Sequence, residues 1–332
     1  MNVSDLAVDC SIIVFARNES DNLRKNLPKL LQQDILNLEV LVIDDDSSDK
    51  TMDVLDDLSS QFSALKVIHL ASNAARGKKA HMRRIITMAE YPNILLTDAD
   101  CAPQCPEWAG KMAACIEDTH QIVAGYSPVY ATKGFLNSFI RYENLITAIQ
   151  TIGLAGINLP YMAVGRNLAY DRNLHLEYDI YRAHAELKQG DDDLAIQDAI
   201  RYTSIQYCLD PATFVYTEGA NNLESYINQK KRHLSTGRKY PFKILTILGA
   251  FNISWALLYL TIVLCIYTQN YFFAAAIYLI RLFGMFICFS YYQKKLQQQL
   301  SIFTLIITDL CYPFFILLTG VLSQLKPNIK WK

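Results

Sequence analysis

The chain has 332 residues, 52% of them hydrophobic, with 31 Lys and Arg against 32 Asp and Glu. So even a balance argues against a protein built to coat nucleic acid, and no nucleic-acid partner is expected; the length suggests two domains. The distribution of charge says more than its total. After Lys243 the composition turns apolar and aromatic with isolated charges only, so residues 1–240 read as a folded catalytic or binding domain and 241–332 as a membrane-embedded tail.

In chain order, Ser11 to Ala16 is a β-branched run that reads as a strand, and Arg17-Asn18-Glu19-Ser20-Asp21-Asn22-Leu23 supplies cap formers and then helical spacing. Glu39 to Ile43 is a second strand, ending on the polar run Asp44 to Asp49. Thr51 to Phe62 is helical in pattern, Leu65 to Leu70 a third strand, and Gly77 to Glu90 a basic helix preceded by Arg76 and opened by Lys78 and Lys79. Cations at a helix N-terminus oppose the macrodipole, which a bound anion would explain and a solvated basic face would also allow. Asn93 to Thr97 is an apolar fourth strand stopping on Asp98-Ala99-Asp100. Strands alternating with helices predict a mostly parallel sheet, with ligands bound outside the carboxyl ends of its strands, where these polar ends converge.

Two acids two apart at a strand end point to one side and could share a divalent cation; an isolated D-x-D is also a common solvated turn. Within Asp44 to Asp49, Ser47 and Asp49 could serve as helix caps alone, while a carboxylate there could instead meet a nucleotide base or ribose. Gly134 to Leu159 reads as an amphipathic helix lying against the domain or the membrane surface. Tyr161 to Tyr170 is strand-like around a Gly-Arg-Asn turn, Gly190-Asp191-Asp192-Asp193 opens a helix with one acid more than capping needs, and Phe214 to Glu218 is a last strand. Ser225 to Tyr240 is a polar helix carrying Gln229-Lys230-Lys231-Arg232-His233.

The tail holds apolar segments near 244–268, 271–292 and 302–322, each long enough to cross hydrocarbon, with Arg281 and Asp309 inside the second and third facing protein. No signal peptide is evident, so the large domain is expected in the cytoplasm, with Lys294-Lys295 on its side. Three full spans would put Lys326, Lys330 and Lys332 opposite, which leaves one segment to be re-entrant or interfacial. The eight cysteines show no repeated pair spacing and read as reduced.

With these pieces in order, the chain resembles the inverting family 2 glycosyltransferases, in the membrane-bound branch that holds ceramide glucosyltransferases and the cellulose, chitin and hyaluronan synthases. The resemblance covers residues 10–240 and rests on SIIVFARNESDNL, LVIDDDSSDKT, ARGKKA, LLTDADC, VGRNLAY, GDDDLA and QKKRH in the family's order. It implies a GT-A fold, an α/β domain followed by transmembrane helices, with a nucleotide-sugar donor, foremost a UDP-sugar, a lipid, lipid-linked or glycan acceptor of the cell envelope, and Mg2+ or Mn2+. It gives the donor contacts to Ala16, Arg17, Glu19, Asp45, Lys78 and Asp98, the metal to Asp98 and Asp100, the general base to Asp192 beside Asp191, and the Gln-x-x-Arg-Trp positions to Gln229, Arg232 and His233. His233 stands where the synthases have tryptophan, a smaller and titratable ring on the acceptor side, so single transfer is expected over processive polymerisation. A processive synthase is the alternative within the class and a catalytically silent scaffold the alternative outside it. A dinucleotide-binding dehydrogenase is excluded by the lack of G-x-G-x-x-G after the first strand.

Overall fold

The computed structural model describes residues 8–70, 77–180, 191–237 and 240–325. Their packing divides into two compact units, residues 1–130 with 151–218, and 131–150 with 219–332. The sequence boundary at 240 marks where apolar composition begins; the packing boundary falls earlier and takes residues 131–150 with the tail.

In the first unit, β1 (Cys10–Ala16), β2 (Leu38–Asp44), β3 (Leu65–His69) and β4 (Asn93–Asp98) form a parallel group, interleaved with α1 (Ser20–Leu31), α2 (Thr51–Gln61) and α3 (Gly77–Met88). After the short β5 (Cys101–Pro103) and α4 (Trp108–Ala114) come β6 (Gln121–Gly125), β7 (Leu168–Asp171), α6 (Arg172–Tyr178), α7 (Asp191–Ala199) and β8 (Ser204–Cys208). The seven-stranded order is β3-β2-β1-β4-β7-β6-β8, with β7 antiparallel to both neighbours, and β5 pairs with β9 (Val215–Thr217) in a separate two-stranded sheet. The mostly parallel sheet expected from the alternation is present.

Both faces of this sheet are covered, which is why its strands read as apolar runs. Alternate residues Ile12, Val14, Val40 and Val42 pack with α1, α2 and α4, whereas Ile13, Leu41, Ile43 and Leu96 pack with α3, α6 and α7. Four strands beyond β1 to β4 depart from the sequence reading. Where the pattern loosens at Val123 the chain still forms β6, β8 is a half-buried strand with no apolar run, and β5 is three residues long. The strand expected around the Gly-Arg-Asn turn begins only at Leu168, after a 3-10 turn over Gly165–Asn167.

That turn buries Asn167 completely. Its Oδ1 accepts from Trp108 Nε1 at 3.1 Å, and its Nδ2 donates to the carbonyls of Tyr126 and Thr213, both at 2.9 Å. A Cβ at Gly125 would come within 2.2 Å of that amide, so only glycine admits it.

In the second unit, α8 (Leu223–Gly237) leads to α9 (Phe242–Tyr267), α10 (Tyr271–Lys295) and α11 (Ile302–Leu325), joined by the first part of α5 (Phe135–Gly156). Three helices, Phe242–Tyr267, Tyr271–Lys295 and Ile302–Ser323, are long and apolar enough to cross a membrane. As expected, their charges face protein. Asp309 is 1% exposed, and its carboxylate accepts from Tyr142 Oη (3.0 Å), Tyr259 Oη (2.8 Å) and Arg281 Nη2 (2.7 Å). The Arg281 guanidinium lies 4.3 Å from the centre of the Trp255 ring.

Replacing Asn167 by Leu strands an indole N–H and two carbonyls in a dry interior. At about 1–3 kcal/mol for each such group, partly recovered by relaxation, the variant is expected to lose about 2–4 kcal/mol of stability, read by chemical denaturation in detergent.

Candidate functional site

The carboxyl ends of the parallel strands are set side by side by register. Ala16 is opposite Asp44, Phe15 opposite Asp98, and Asp44 opposite His69, so an acid sits at the ends of both β2 and β4 with the end of β1 between them. The Asp45 amide donates to the Ala16 carbonyl at 2.9 Å, continuing the ladder past the strand end.

Beyond β4 the chain turns. The sequence reading put both acids on one strand, pointing the same way through the pleat; instead β4 stops at Asp98, and Ala99 and Asp100 form a turn before β5. The turn still brings the acids together. Ligand atoms of Asp98, Asp100 and Cys101 all lie within 4.8 Å of one another, the one such acid, His or Cys group found among the described residues. The fully buried Cys101 donates its S–H to Asp100 Oδ1 at 3.0 Å.

Asp100 keeps solvent access, yet protein atoms crowd its carboxylate. That desolvation, and then the charge of Asp98, raise its pKa, against opposing pulls from the Cys101 hydrogen bond and then from Arg166. Burial, followed by Asp100 and Asp98, pushes the Cys101 thiol well up, so it stays protonated. Two crowded carboxylates and a neutral thiol make a hard-oxygen donor set, which fits Mg2+ or Mn2+ and does not fit a thiolate-seeking metal. Arg166 is the residue the sequence reading passed over. It lies in the Gly-Arg-Asn turn, whose place next to the acids depends on Asn167, and only the quoted VGRN stretch pointed toward it.

The second acidic run sorts into caps and free faces. Asp49 accepts from Thr51 N (3.0 Å) and Oγ1, and from Ser20 N (3.2 Å), so one carboxylate ties the starts of α1 and α2 together. Desolvation works against its ionised form, but these hydrogen bonds outweigh it and its pKa falls. Asn18, at φ 55°, donates its backbone amide to Ser47 Oγ, and its Oδ1 accepts from Ser48 N. Asp44 is buried and takes His69 Nδ1 at 2.8 Å. Asp45 has no such duty. It faces Arg17 at 3.5 Å with both side chains about two-fifths exposed (39% and 44%), which leaves the pair open at the sheet edge.

Of the other expected residues, Glu19 precedes α1, where its amide donates to Thr51 Oγ1 at 2.9 Å. Lys78 lies in the first turn of α3, and Asp191, Asp192 and Asp193 open α7, as the acidic run suggested; the side chains of all four lie outside the described residues, as does Arg76. Gln229, Arg232 and His233 stand on α8 in the second unit, the first two half-buried and His233 exposed.

The family model described as Glycosyl transferase family 2 matches residues 11–178, just over half of the 332-residue chain and including both strand-end acid groups. The chain belongs to glycosyl transferase family 2. Relatives include a beta-monoglucosyldiacylglycerol synthase from Trichormus variabilis, 34% identical over 92 residues, 27% of this chain and 20% of that protein. The chain therefore matches about a fifth of the length of that relative. An Escherichia coli glucosyltransferase named WfaP, described as UDP-Glc:alpha-D-GlcNAc-diphosphoundecaprenol beta-1,3-glucosyltransferase, is 23% identical over 203 residues, 53% of this chain and 77% of its own. Among solved structures, a mannosyltransferase from Pyrobaculum calidifontis in complex with GDP-Man and Mn2+ covers 92% of this chain and 90% of its own at TM-score 0.55 and 17% identity, a likeness of fold. The fold class is GT-A with three candidate membrane helices at its C-terminal end.

The raised Asp100 carboxyl has a consequence with a definite sign. A folded pKa above the unfolded one means that the folded state gains stability as pH falls through the folded value, and that the ionised group costs stability at neutral pH. Asp100→Asn is accordingly expected to raise the melting temperature of the metal-free protein at pH 7 and to lose the further rise that Mn2+ gives the parent. For the parent, Mn2+ affinity should fall as pH drops, beginning at a higher pH than an ordinary aspartate would give. A melting series with and without Mn2+ from pH 5 to 8 checks all three.

Proposed function

We propose that this protein is a membrane-associated inverting glycosyltransferase that moves a sugar from a nucleotide-sugar donor to a hydroxyl of a lipid, lipid-linked or glycan acceptor. The observation that carries the reading is the crowded Asp98–Asp100 pair at the carboxyl ends of a parallel sheet, one strand away from the open Arg17–Asp45 edge. Asp98 and Asp100 would hold Mg2+ or Mn2+, which when bound neutralises charge on a departing diphosphate. Ala16, Arg17, Glu19 and Asp45 take the nucleoside half of the donor, with Lys78 toward its phosphates. Asp192 takes the proton from the acceptor hydroxyl as its oxygen attacks the anomeric carbon, with Asp191 and His233 on the acceptor side; Gln229 and Arg232 act on the leaving group.

The relatives support the substrate class by their names. One makes a glucosylated diacylglycerol and another transfers glucose from UDP-Glc to a sugar on diphosphoundecaprenol, both lipid-borne acceptors, while the mannosyltransferase of like fold binds GDP-Man with Mn2+. A UDP-sugar is the donor favoured here. The division into a transfer region at 1–240 and a membrane region at 241–332, with the transfer region in the cytoplasm, belongs to the same proposal and follows from Lys243, Lys294 and Lys295 flanking the apolar helices. With His233 in place of a flat tryptophan, transfer is single.

The test is a donor screen on detergent-solubilised protein with extracted membrane lipids, following nucleoside diphosphate release with Mn2+, with Mg2+ and with EDTA. Metal-dependent release from one donor and a product larger by one sugar are expected. Asp192→Asn should keep donor binding and lose transfer by about 10²-fold or more, whereas Asp100→Ala loses metal-dependent donor binding too. Donors neither bound in calorimetry nor turned over would sink the reading.

A further inference from the structure

Cys115 and Cys208 stand 93 residues apart in the chain, and in the first unit their sulfurs meet. The Cys115 S–H donates to Cys208 Sγ at 3.4 Å. Both thiols are reduced and half-buried, packed against the core on the side covered by α1, α2 and α4. Neither takes part in the transfer chemistry proposed above.

Three ties run between one face of α4 and the chain after β8. Cys115 follows the last residue of α4, and Cys208 closes β8. Trp108, Lys111 and Cys115 are spaced by three and four, which puts them on one side of the helix. Trp108 reaches the Thr213 carbonyl through Asn167, Lys111 Nζ is 3.0 Å from Asp210 Oδ2, and Cys115 meets Cys208. The partners descend from Thr213 to Cys208 as the helix positions rise, so the two segments run antiparallel and each tie braces the next. A disulfide needs its sulfurs about 2.05 Å apart, so the tips of these two side chains close by about 1.4 Å while the neighbouring ties hold the segments in place.

The two thiols are not equivalent. The hydrogen bond from Cys115 is the largest influence on Cys208, joined by the Thr213 side chain and the Asp210 amide; together they outweigh burial and the charge of Asp210 and hold the Cys208 thiol below its ordinary pKa. The same hydrogen bond, then burial, raises the Cys115 thiol. The Asp210 carboxylate is itself taken up by Lys111 and by the Ala212 amide at 2.9 Å. Cys208 is therefore the sulfur that carries thiolate character, the form that attacks an oxidant, and Cys115 stands in contact to resolve it.

We propose that Cys115 and Cys208 are a redox modification site, in which a peroxide, hydrogen peroxide in its simplest form, converts the two thiols reversibly to an intramolecular disulfide. The Cys208 thiolate attacks one peroxide oxygen and the O–O bond breaks. The leaving hydroxide takes the proton that Cys208 gave up and becomes water, and the sulfur, two electrons poorer, is a sulfenic acid. Cys115 Sγ then attacks Cys208 Sγ, forming the S–S bond and displacing the hydroxyl, which leaves as a second water with the Cys115 proton. A thiol reductant reverses the bond by exchange. The disulfide joins α4 to the segment leading to β9, two of the elements that Asn167 ties, so oxidation adds a covalent tie beside the amide.

The full chain in detergent tests this. It is treated with hydrogen peroxide, quenched, alkylated under denaturing conditions, digested and read by mass spectrometry. The expected result is a loss of two of the eight free thiols, found as a Cys115–Cys208 peptide pair lighter by two hydrogens than its separate halves, with dithiothreitol restoring both. Cys115→Ser is expected to give no pair and to leave a Cys208 sulfenic acid that dimedone traps, whereas Cys208→Ser gives neither the pair nor a dimedone adduct on Cys115. Two thiols that stay free, a link from either to another cysteine, or Cys208 driven to sulfinic acid with no link overturns the proposal. Dimedone captured on Cys115 in place of Cys208 overturns the assignment of the attacking sulfur. The link is read in the parent chain, so its outcome does not depend on how either variant folds.

Discussion

The side-chain amide of Asn167 is the interaction on which the first unit turns. Buried and fully engaged, it ties the start of α4 through Trp108, the chain after β6 through Tyr126 and the turn before β9 through Thr213. Asparagine is the residue that can give two hydrogens and accept one from such a position, and Gly125 is what lets it approach. The cost of leaving any of these groups unpaired in a dry interior makes the arrangement close to all-or-none. Arg166 is next in sequence, so the same lock sets the cation that faces the Asp98–Asp100 acids.

Two acidic clusters in this unit show opposite electrostatic designs. At the amino ends of the strands, Glu39 is 1% exposed and satisfied on every side, by Ser11 Oγ, by Lys66 Nζ at 2.7 Å and by the Glu90 amide at 2.8 Å. This is a buried charge made tolerable by partners, a structural anchor. At the carboxyl ends, desolvation and like charge on Asp100 prevail over the pull of Arg166. The same fold thus neutralises Glu39 with three partners at one end of the sheet and crowds two carboxylates at the other, where the proposed cation would bind.

The second unit inverts the usual pattern of inside and outside. Its apolar side chains point outward, among them Leu260, Phe272, Phe283 and Phe314, while Asp309, Arg281 and the tyrosine hydroxyls are gathered inward. In lipid the outward apolar surface costs nothing, and an inward carboxylate with three donor residues, one of them a cation, is the form in which such a charge persists.

The sequence by itself determined β1 to β4, the helices between them, the three apolar helices, and the convergence of acids at one sheet edge. Each of these follows from local periodicity and from parallel topology, in which carboxyl ends must share an edge. It could not determine β5, β6 or β8, because strands of three to five residues owe their existence to neighbours across the sheet rather than to their own pattern. It placed Asp98 and Asp100 together for the wrong local reason, a pleat where the chain makes a turn. It offered Asp49 as a helix cap, which the structure bears out, but it could not tell that Asp45 is left open or that Arg166 belongs with the acids, since residues far apart in the chain meet only once Asn167 has closed the interior. For the tail, composition alone makes three segments equivalent. Only the tertiary structure brings Asp309 of α11 to Tyr259 of α9 and Arg281 of α10, because which side chain meets a buried charge is decided by how the helices pack and not by how apolar each one is.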